Sequence, residues 1–408
     1  MLDCPGVFTG EGFLSSRDAA GPSTRSVHAG RARDPESGAI ATPIHLSSTY
    51  FARSTKDLVE YLEGRRPLNF YARYSNPTVD AAEEKIAALE GGERALCFGS
   101  GMAAISSLLL SQLGQGDHVV ATRELYGGTF EVLERMLPRW GITVTFVPPT
   151  DLRALEAALG PKTKLVYTES PTNPKLSVVD LRGVAEIARK HRIPCAVDNT
   201  FASPVNQRPI GYGFDFVLHS ATKYLGGHCD LVGGVVVGAR EPMKDVWQHR
   251  KLLGGILSPH SAYLLERGTK TLALRMERHN QNGLAIASHL AAHPRVRRLY
   301  YPGLPDHPGH EIAKKQMSGF GGVLAFEVDG DRAATVRVVE ALELAYLAPS
   351  LGGVETLVNQ PCMTSHYFIA PEERAAQGIS DSLVRVALGI EDSADLIRDL
   401  DRALETLS

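Results

Sequence analysis

The sequence predicts an α/β fold in which a large, mostly parallel sheet is covered by helices on both faces and a smaller α/β domain follows. Two patterns carry this expectation. From about residue 95 to residue 238, short apolar runs alternate with helix-periodic segments, as in parallel strands joined by helical crossovers. After a long helical stretch over 262–292 the pattern changes to short strands and helices that fit a second, at least partly antiparallel sheet. With 408 residues the chain is long enough for two domains and a sizeable core. The expected division is an arm over 1–75, a large domain over 76–270 and a C-terminal domain over 271–408.

Residues 1 to about 40 are rich in Gly, Ser, Pro, Asp and Arg and lack periodicity, so they read as an arm with little structure of its own. Asn76-Pro77 marks a turn, Thr78 is the expected cap of a helix over 79–90, and Gly91-Gly92 ends it. A strand over 95–98 runs into Gly99-Ser100-Gly101-Met102-Ala103-Ala104 and a helix to about 113. A glycine-rich turn opening a helix presents free N–H groups and the positive helix end to a phosphate. It also fits G-x-G-x-x-A, so a dinucleotide reading stays open, with Glu124 loosely in the place of the ribose-binding acid. Further strands are expected over 118–122, 142–147, 164–168, 193–198, 216–218 and 234–237, with helices over 129–139, 152–159 and 180–191. The C-terminal part predicts strands over 296–300, 322–328 and 383–388 and helices over 332–343 and 393–407.

Charged content of 22% and a formal net charge of −3 suggest neither a nucleic-acid nor a membrane partner. No apolar run approaches the length of a membrane span and no leader pattern is visible, so a cytoplasmic location is expected. The five cysteines are scattered and odd in number, without C-x-x-C spacing, which argues against a disulfide framework and a zinc site. His307-Pro308-Gly309-His310 reads as a turn rather than a metal pair, and no metal is expected.

One lysine stands out. Lys223 follows the apolar run 214–218 and lies among small and hydroxyl residues, Ser220-Ala221-Thr222. A lysine whose pKa burial lowers becomes a nucleophile, suited to a Schiff base with a carbonyl or with pyridoxal phosphate. An ordinary solvated lysine remains open on this context alone. Asp198 ends another apolar run, and a carboxylate facing the ring nitrogen is what pyridoxal phosphate requires. Loops at strand ends form the site in open α/β sheets. They bring in Tyr126, an aromatic able to stack on a planar cofactor, and Asn173, a ligand donor or a turn former. Tyr71 and Arg73 crowd ahead of a helix as an anion site or as loop packing, and Arg385 in an apolar strand calls for a carboxylate partner.

Six motifs together resemble the cysteine/methionine-metabolism family of pyridoxal-phosphate enzymes, the trans-sulfuration enzymes of fold type I. They are Tyr-x-Arg-Tyr-x-Asn-Pro-Thr at 71–78, Ser-Gly-Met at 100–102, Tyr-Gly-Gly-Thr at 126–129, Glu-Ser-Pro-Thr-Asn-Pro at 169–174, Asp-Asn-Thr-Phe-Ala at 198–202 and His-Ser-x-Thr-Lys-Tyr at 219–224. The resemblance implies that Lys223 carries the cofactor covalently, Asp198 pairs with its ring nitrogen and Tyr126 stacks on the ring. It implies a phosphate held by Gly101, Met102, Ser220 and Thr222, joined by Tyr71 and Arg73 of a neighbouring subunit. Asn173, Arg385 and Ser350 would bind the substrate, with Lys223 and Tyr126 as the proton-transfer groups. A homotetramer of two dimers with shared sites, acting on small amino acids, is the implied assembly.

Within the family, the segment 301–331 and Ala348-Pro349-Ser350-Leu351-Gly352-Gly353 look most like cystathionine γ-synthases of the plant type. Gly128 stands where methionine γ-lyases carry a cysteine. Pro349 replaces a glutamate of cystathionine γ-lyases and enteric-type synthases, and Glu131 replaces an arginine that many of those enzymes carry. The implied activity is γ-replacement on an O-acylated homoserine by a thiol such as cysteine. A cystathionine or methionine γ-lyase and a homoserine-ester sulfhydrylase are the alternatives, and without that arginine a neutral ester such as O-acetylhomoserine or a less usual γ-substituted amino acid fits better than an anionic acyl group.

Overall fold

Seven of the apolar runs pair into one sheet: β1 (Arg94–Phe98), β2 (His118–Thr122), β3 (Thr143–Val147), β4 (Thr163–Glu169), β5 (Cys195–Asp198), β6 (Phe216–Ser220) and β7 (Gly234–Gly238). Their order is β1-β7-β6-β5-β4-β2-β3. The computed structural model describes residues 20–30, 38–65, 68–364 and 378–407, with 367, 372 and 374 between. The β2–β3, β2–β4, β4–β5 and β5–β6 pairs are parallel, whereas β7 runs antiparallel to β1 and β6. Alternate residues serve opposite faces: Val166, Val197 and Val217 join one core, and Leu165, Ala196 and Leu218 the other. Both faces are therefore dry, and the carboxyl ends of β2, β4, β5 and β6 open to one side.

The second sheet holds β8 (Val296–Tyr300), β9 (Val323–Val328), β10 (Tyr346–Leu347), β11 (Leu357–Asn359) and β12 (Leu383–Ala387) in the order β10-β11-β12-β9-β8. It is antiparallel apart from the β10–β11 pair. Leading up to it, the expected single helical stretch is two helices, Pro259–Thr269 and Leu272–Ala291.

Three local expectations are corrected. Asn76, not Thr78, caps the helix Pro77–Glu90: its side chain accepts from Thr78 N and Val79 N. The Thr78 hydroxyl is engaged elsewhere, donating to Pro43 O and accepting from His45 N. The expected helix over 129–139 is an α turn (Gly127–Glu131), a π turn (Val132–Met136) and a 3₁₀ turn (Leu137–Trp140) in succession. Pro138, which lacks an N–H, tightens its end. The arm contains a helix, Pro22–His28, anchored where buried Lys85 donates to Ser26 O and Val27 O. The arm expectation for 1–19 and 31–37 lies outside the described residues. Among the described residues no helix is long and apolar enough to cross a membrane.

Candidate active site

The loops following β2, β4, β5 and β6 and the segment before β11 surround one cavity of about 1460 Å³. Lys223, Asp198, Tyr126, Gly101, Met102, Ser220, Thr222, Asn173, Arg385 and Ser350 all line it. Lys223 stands three residues beyond β6, where its Nζ donates to Ser350 Oγ at 2.5 Å. Burial, and then the positive charge of Arg385, bring its amine down to about 8. Ser350 has φ of 108°, a costly conformation for a residue with a Cβ. It is held there at two atoms, because its carbonyl also accepts from Arg385 Nη2 at 2.8 Å.

Arg385 is buried on β12, in register with Asn359 and Ala325. Its Nη1 donates to Asn173 Oδ1 at 2.8 Å. Burial lowers its guanidinium to about 10, so it stays charged at neutral pH. Its hydrogen-bond partners are neutral although the Glu169 charge also favours the cation, and its Nε has no hydrogen-bond partner among the described residues. A buried cation with neutral partners is complementary to an incoming carboxylate.

Asp198 ends β5 with its Oδ1 accepting from Thr200 N (3.0 Å) and Thr200 Oγ1 (2.5 Å). Oδ2 has no hydrogen-bond partner among the described residues. Burial pushes this carboxyl up, and the Thr200 donors and His219 oppose the shift. A cationic ring nitrogen is the partner that would relieve the penalty. On the other side of the cavity, Ser100 Oγ caps Ala103 N at the start of the helix Gly101–Gln112, leaving the N–H groups of Gly101 and Met102 as first-turn orphans. A Cβ on Gly101 would come within 3.1 Å of Ser220, so the glycine keeps this cradle open. Primary amine, buried carboxylate and phosphate cradle thus fit pyridoxal phosphate by donor set and charge.

Tyr126 precedes the helix Gly127–Glu131, lines the cavity and is 49% exposed, which leaves room for a planar ring beside it. Two residues gain a part that the motifs alone did not assign. Glu169 is buried at the end of β4 and accepts from Tyr126 N (2.7 Å) and Asn173 N (3.1 Å), fixing both loops. Burial, followed by the Asp198 charge, raises its carboxyl well above the usual range. Thr200 orients Asp198 and accepts from Ser220 N. An acid closing an apolar strand was the available signal for Glu169.

Tyr71 and Arg73 are not brought to this chain's own cavity. Arg73 Nη1 donates to Lys251 O at 2.5 Å and its guanidinium lies 5.3 Å from the Tyr71 ring centroid. His307 and His310 form the expected turn, His307 Nδ1 accepting from Gly309 N and His310 Nδ1 meeting Pro302 O. Glu124 is engaged by Thr172 and Lys175.

Fold and cavity define a fold type I enzyme that uses pyridoxal phosphate. The family model described as Cys/Met metabolism PLP-dependent enzyme matches residues 23–405, and the chain belongs to that family. The dinucleotide reading is thereby overturned: the glycine turn faces Lys223 and Asp198 instead of a ribose-binding acid. Cystathionine gamma-synthase 1, chloroplastic, of Arabidopsis thaliana is 44% identical over 97% of this chain and 70% of its own length. O-succinylhomoserine sulfhydrylase of Pseudomonas aeruginosa is 43% identical over 96% of this chain and 97% of its own. The solved cystathionine gamma-lyase from Lactobacillus plantarum, complexed with L-serine, superposes with a TM-score of 0.89 at 39% identity, covering 95% of this chain and 99% of that one.

Proposed function

We propose that the enzyme catalyses γ-replacement on an O-acylated homoserine, joining it to a thiol such as cysteine. The observation that carries this reading is the placement of Lys223 beside the Arg385–Asn173–Ser350 wall, with the cavity continuing past Tyr126 to a second polar end. Arg385 and Asn173 take the substrate α-carboxylate, which turns the Cα–H toward Lys223. Bound pyridoxal phosphate supplies the electron sink for the carbanion at Cα. Asp198 holds the ring nitrogen and Gly101, Met102, Ser220 and Thr222 the phosphate. Lys223 Nζ, down at about 8, accepts the Cα proton and, once it has passed that proton on, accepts a Cβ proton, so that the acyl group leaves Cγ as a carboxylate and the thiol sulfur adds there. Tyr126, beside that end of the substrate, is the second proton-transfer group and stacks on the ring.

Tyr71 and Arg73 belong to a partner's site in this proposal, which their distance from the chain's own cavity supports. A tetramer of two dimers and a cytoplasmic location complete it; the four described cysteines are all free, as a reducing compartment favours. γ-Elimination from cystathionine is the second reading, favoured by the likeness to the Lactobacillus lyase. The test is a product assay with O-acetyl-, O-succinyl- and O-phosphohomoserine and with cystathionine, each with and without cysteine. Cystathionine formed from one ester and cysteine supports replacement; 2-oxobutyrate from cystathionine alone moves the assignment to the lyases.

A further inference from the structure

The far end of the cavity is built from the loop after β2, the end of β3 and the π turn Val132–Met136. Its charges sort themselves. Glu131 is 3.8 Å from Arg135 one turn later, and Glu124 is 3.4 Å from Lys175. After these pairs, one cation and one anion at this far end are left without an ionic partner among the described residues of this chain: Arg123 and Glu134.

Neither is a randomly placed surface charge. The Arg123 guanidinium lies over the Phe146 ring, 5.6 Å from its centroid, and Phe146 packs on Phe130 with ring centroids 4.9 Å apart. Arg123 N donates to Val147 O, which fixes the root of the side chain to β3. Stacking restricts the guanidinium while leaving its N–H edge free to donate. Glu134 lies four residues after Phe130, on the π turn; such turns recur at functional sites because they redirect side chains. The result is an aromatic ledge flanked by a guanidinium and a carboxylate, whereas the α-carboxylate of the first substrate already has Arg385 at the opposite wall.

We propose that this end is the subsite for the second substrate, and that its occupant is a zwitterionic amino thiol. Arg123 holds the thiol substrate's carboxylate, Glu134 its ammonium, and the thiol points along the Phe130–Phe146 ledge toward Lys223. The subsite rests on the γ-replacement reading and narrows it: inorganic sulfide and simple alkyl thiols lack both charges. They would enter without using it.

The test compares KM for four nucleophiles with one ester substrate in the holoenzyme: L-cysteine, cysteamine (no carboxylate), N-acetylcysteine (no ammonium) and sulfide. Arg123→Gln is expected to raise KM about tenfold or more for L-cysteine and N-acetylcysteine while cysteamine and sulfide stay within ~twofold. Glu134→Gln is expected to raise it for L-cysteine and cysteamine only. Both residues are exposed, so both variants should fold. As a readout apart from turnover, calorimetric titration of Lys223→Ala with L-cystathionine should show weaker binding once Arg123→Gln is added. Equal changes for all four nucleophiles, or no change for L-cysteine, would overturn the subsite alone. A wild-type enzyme that joins no thiol to any ester would overturn the γ-replacement reading, and the subsite with it.

Discussion

Replacing Lys223 with Met should stabilise the cofactor-free protein near neutral pH while abolishing turnover. The amine drops from an ordinary 10.5 to about 8 in the folded chain, and that gap corresponds to about 3 kcal/mol against the ammonium. The sign follows from linkage. A lysine whose folded pKa is lowered binds fewer protons folded than unfolded between pH 8 and 10.5, so native stability rises with pH across that window. Below pH 8 the full penalty applies, and above 10.5 it vanishes. Methionine conserves volume and carries no charge. It also forfeits the 2.5 Å hydrogen bond to Ser350, which costs about 1–2 kcal/mol. The net gain at pH 7 is therefore about 1–2 kcal/mol, and above pH 10.5 the variant should be the less stable protein. Urea unfolding of both proteins without cofactor, at fixed protomer concentration from pH 7 to 10.5, reads this directly. A variant that is less stable at pH 7, or a difference that does not change with pH, refutes the claim that Lys223 is held against its own charge.

Other substitutions test the remaining parts. Asp198→Asn keeps an acceptor for Thr200 but removes the charge, so cofactor affinity, read by dialysis and absorbance, should fall about tenfold to a hundredfold. The cofactor-free melting temperature should not fall, because burial already penalises the carboxylate. Arg385→Gln should raise KM for the amino-acid substrate about tenfold to a hundredfold in steady-state assays, since it removes the buried cation proposed to meet the substrate carboxylate. Arg73→Ala should lose activity alone yet regain it when co-expressed with Lys223→Ala, because a mixed dimer restores one intact site; no regain would place Arg73 outside the partner's site.

The strands of the large sheet were legible because buried parallel strands are short β-branched runs bounded by turn residues. β2 spans 118–122 as expected, and β3 to β7 differ from expectation by one or two residues at their ends. That Lys223 and Asp198 would lie around one cavity was legible as well, since a lysine and an acid each closing an apolar run are costly unless solvated or partnered. Periodicity could not show that Asn76 outcompetes Thr78 as a cap, because the Thr78 hydroxyl is drawn to Pro43 and His45, 35 and 33 residues away. Nor could it show the π turn after Glu131, whose apolar spacing still reads as helix. β10 and β11, of two and three residues, are too short to carry a pattern. The tether between Lys223 and Ser350 joins residues 127 apart, and such contacts exist only once the second sheet packs against the first.

The most direct test of the account is chemical. Borohydride reduction of the holoenzyme followed by peptide mapping fixes the cofactor on the lysine that carries it. A single modified peptide containing Lys223 is expected, together with permanent loss of activity. Modification of a different lysine, or full activity after reduction, would contradict it.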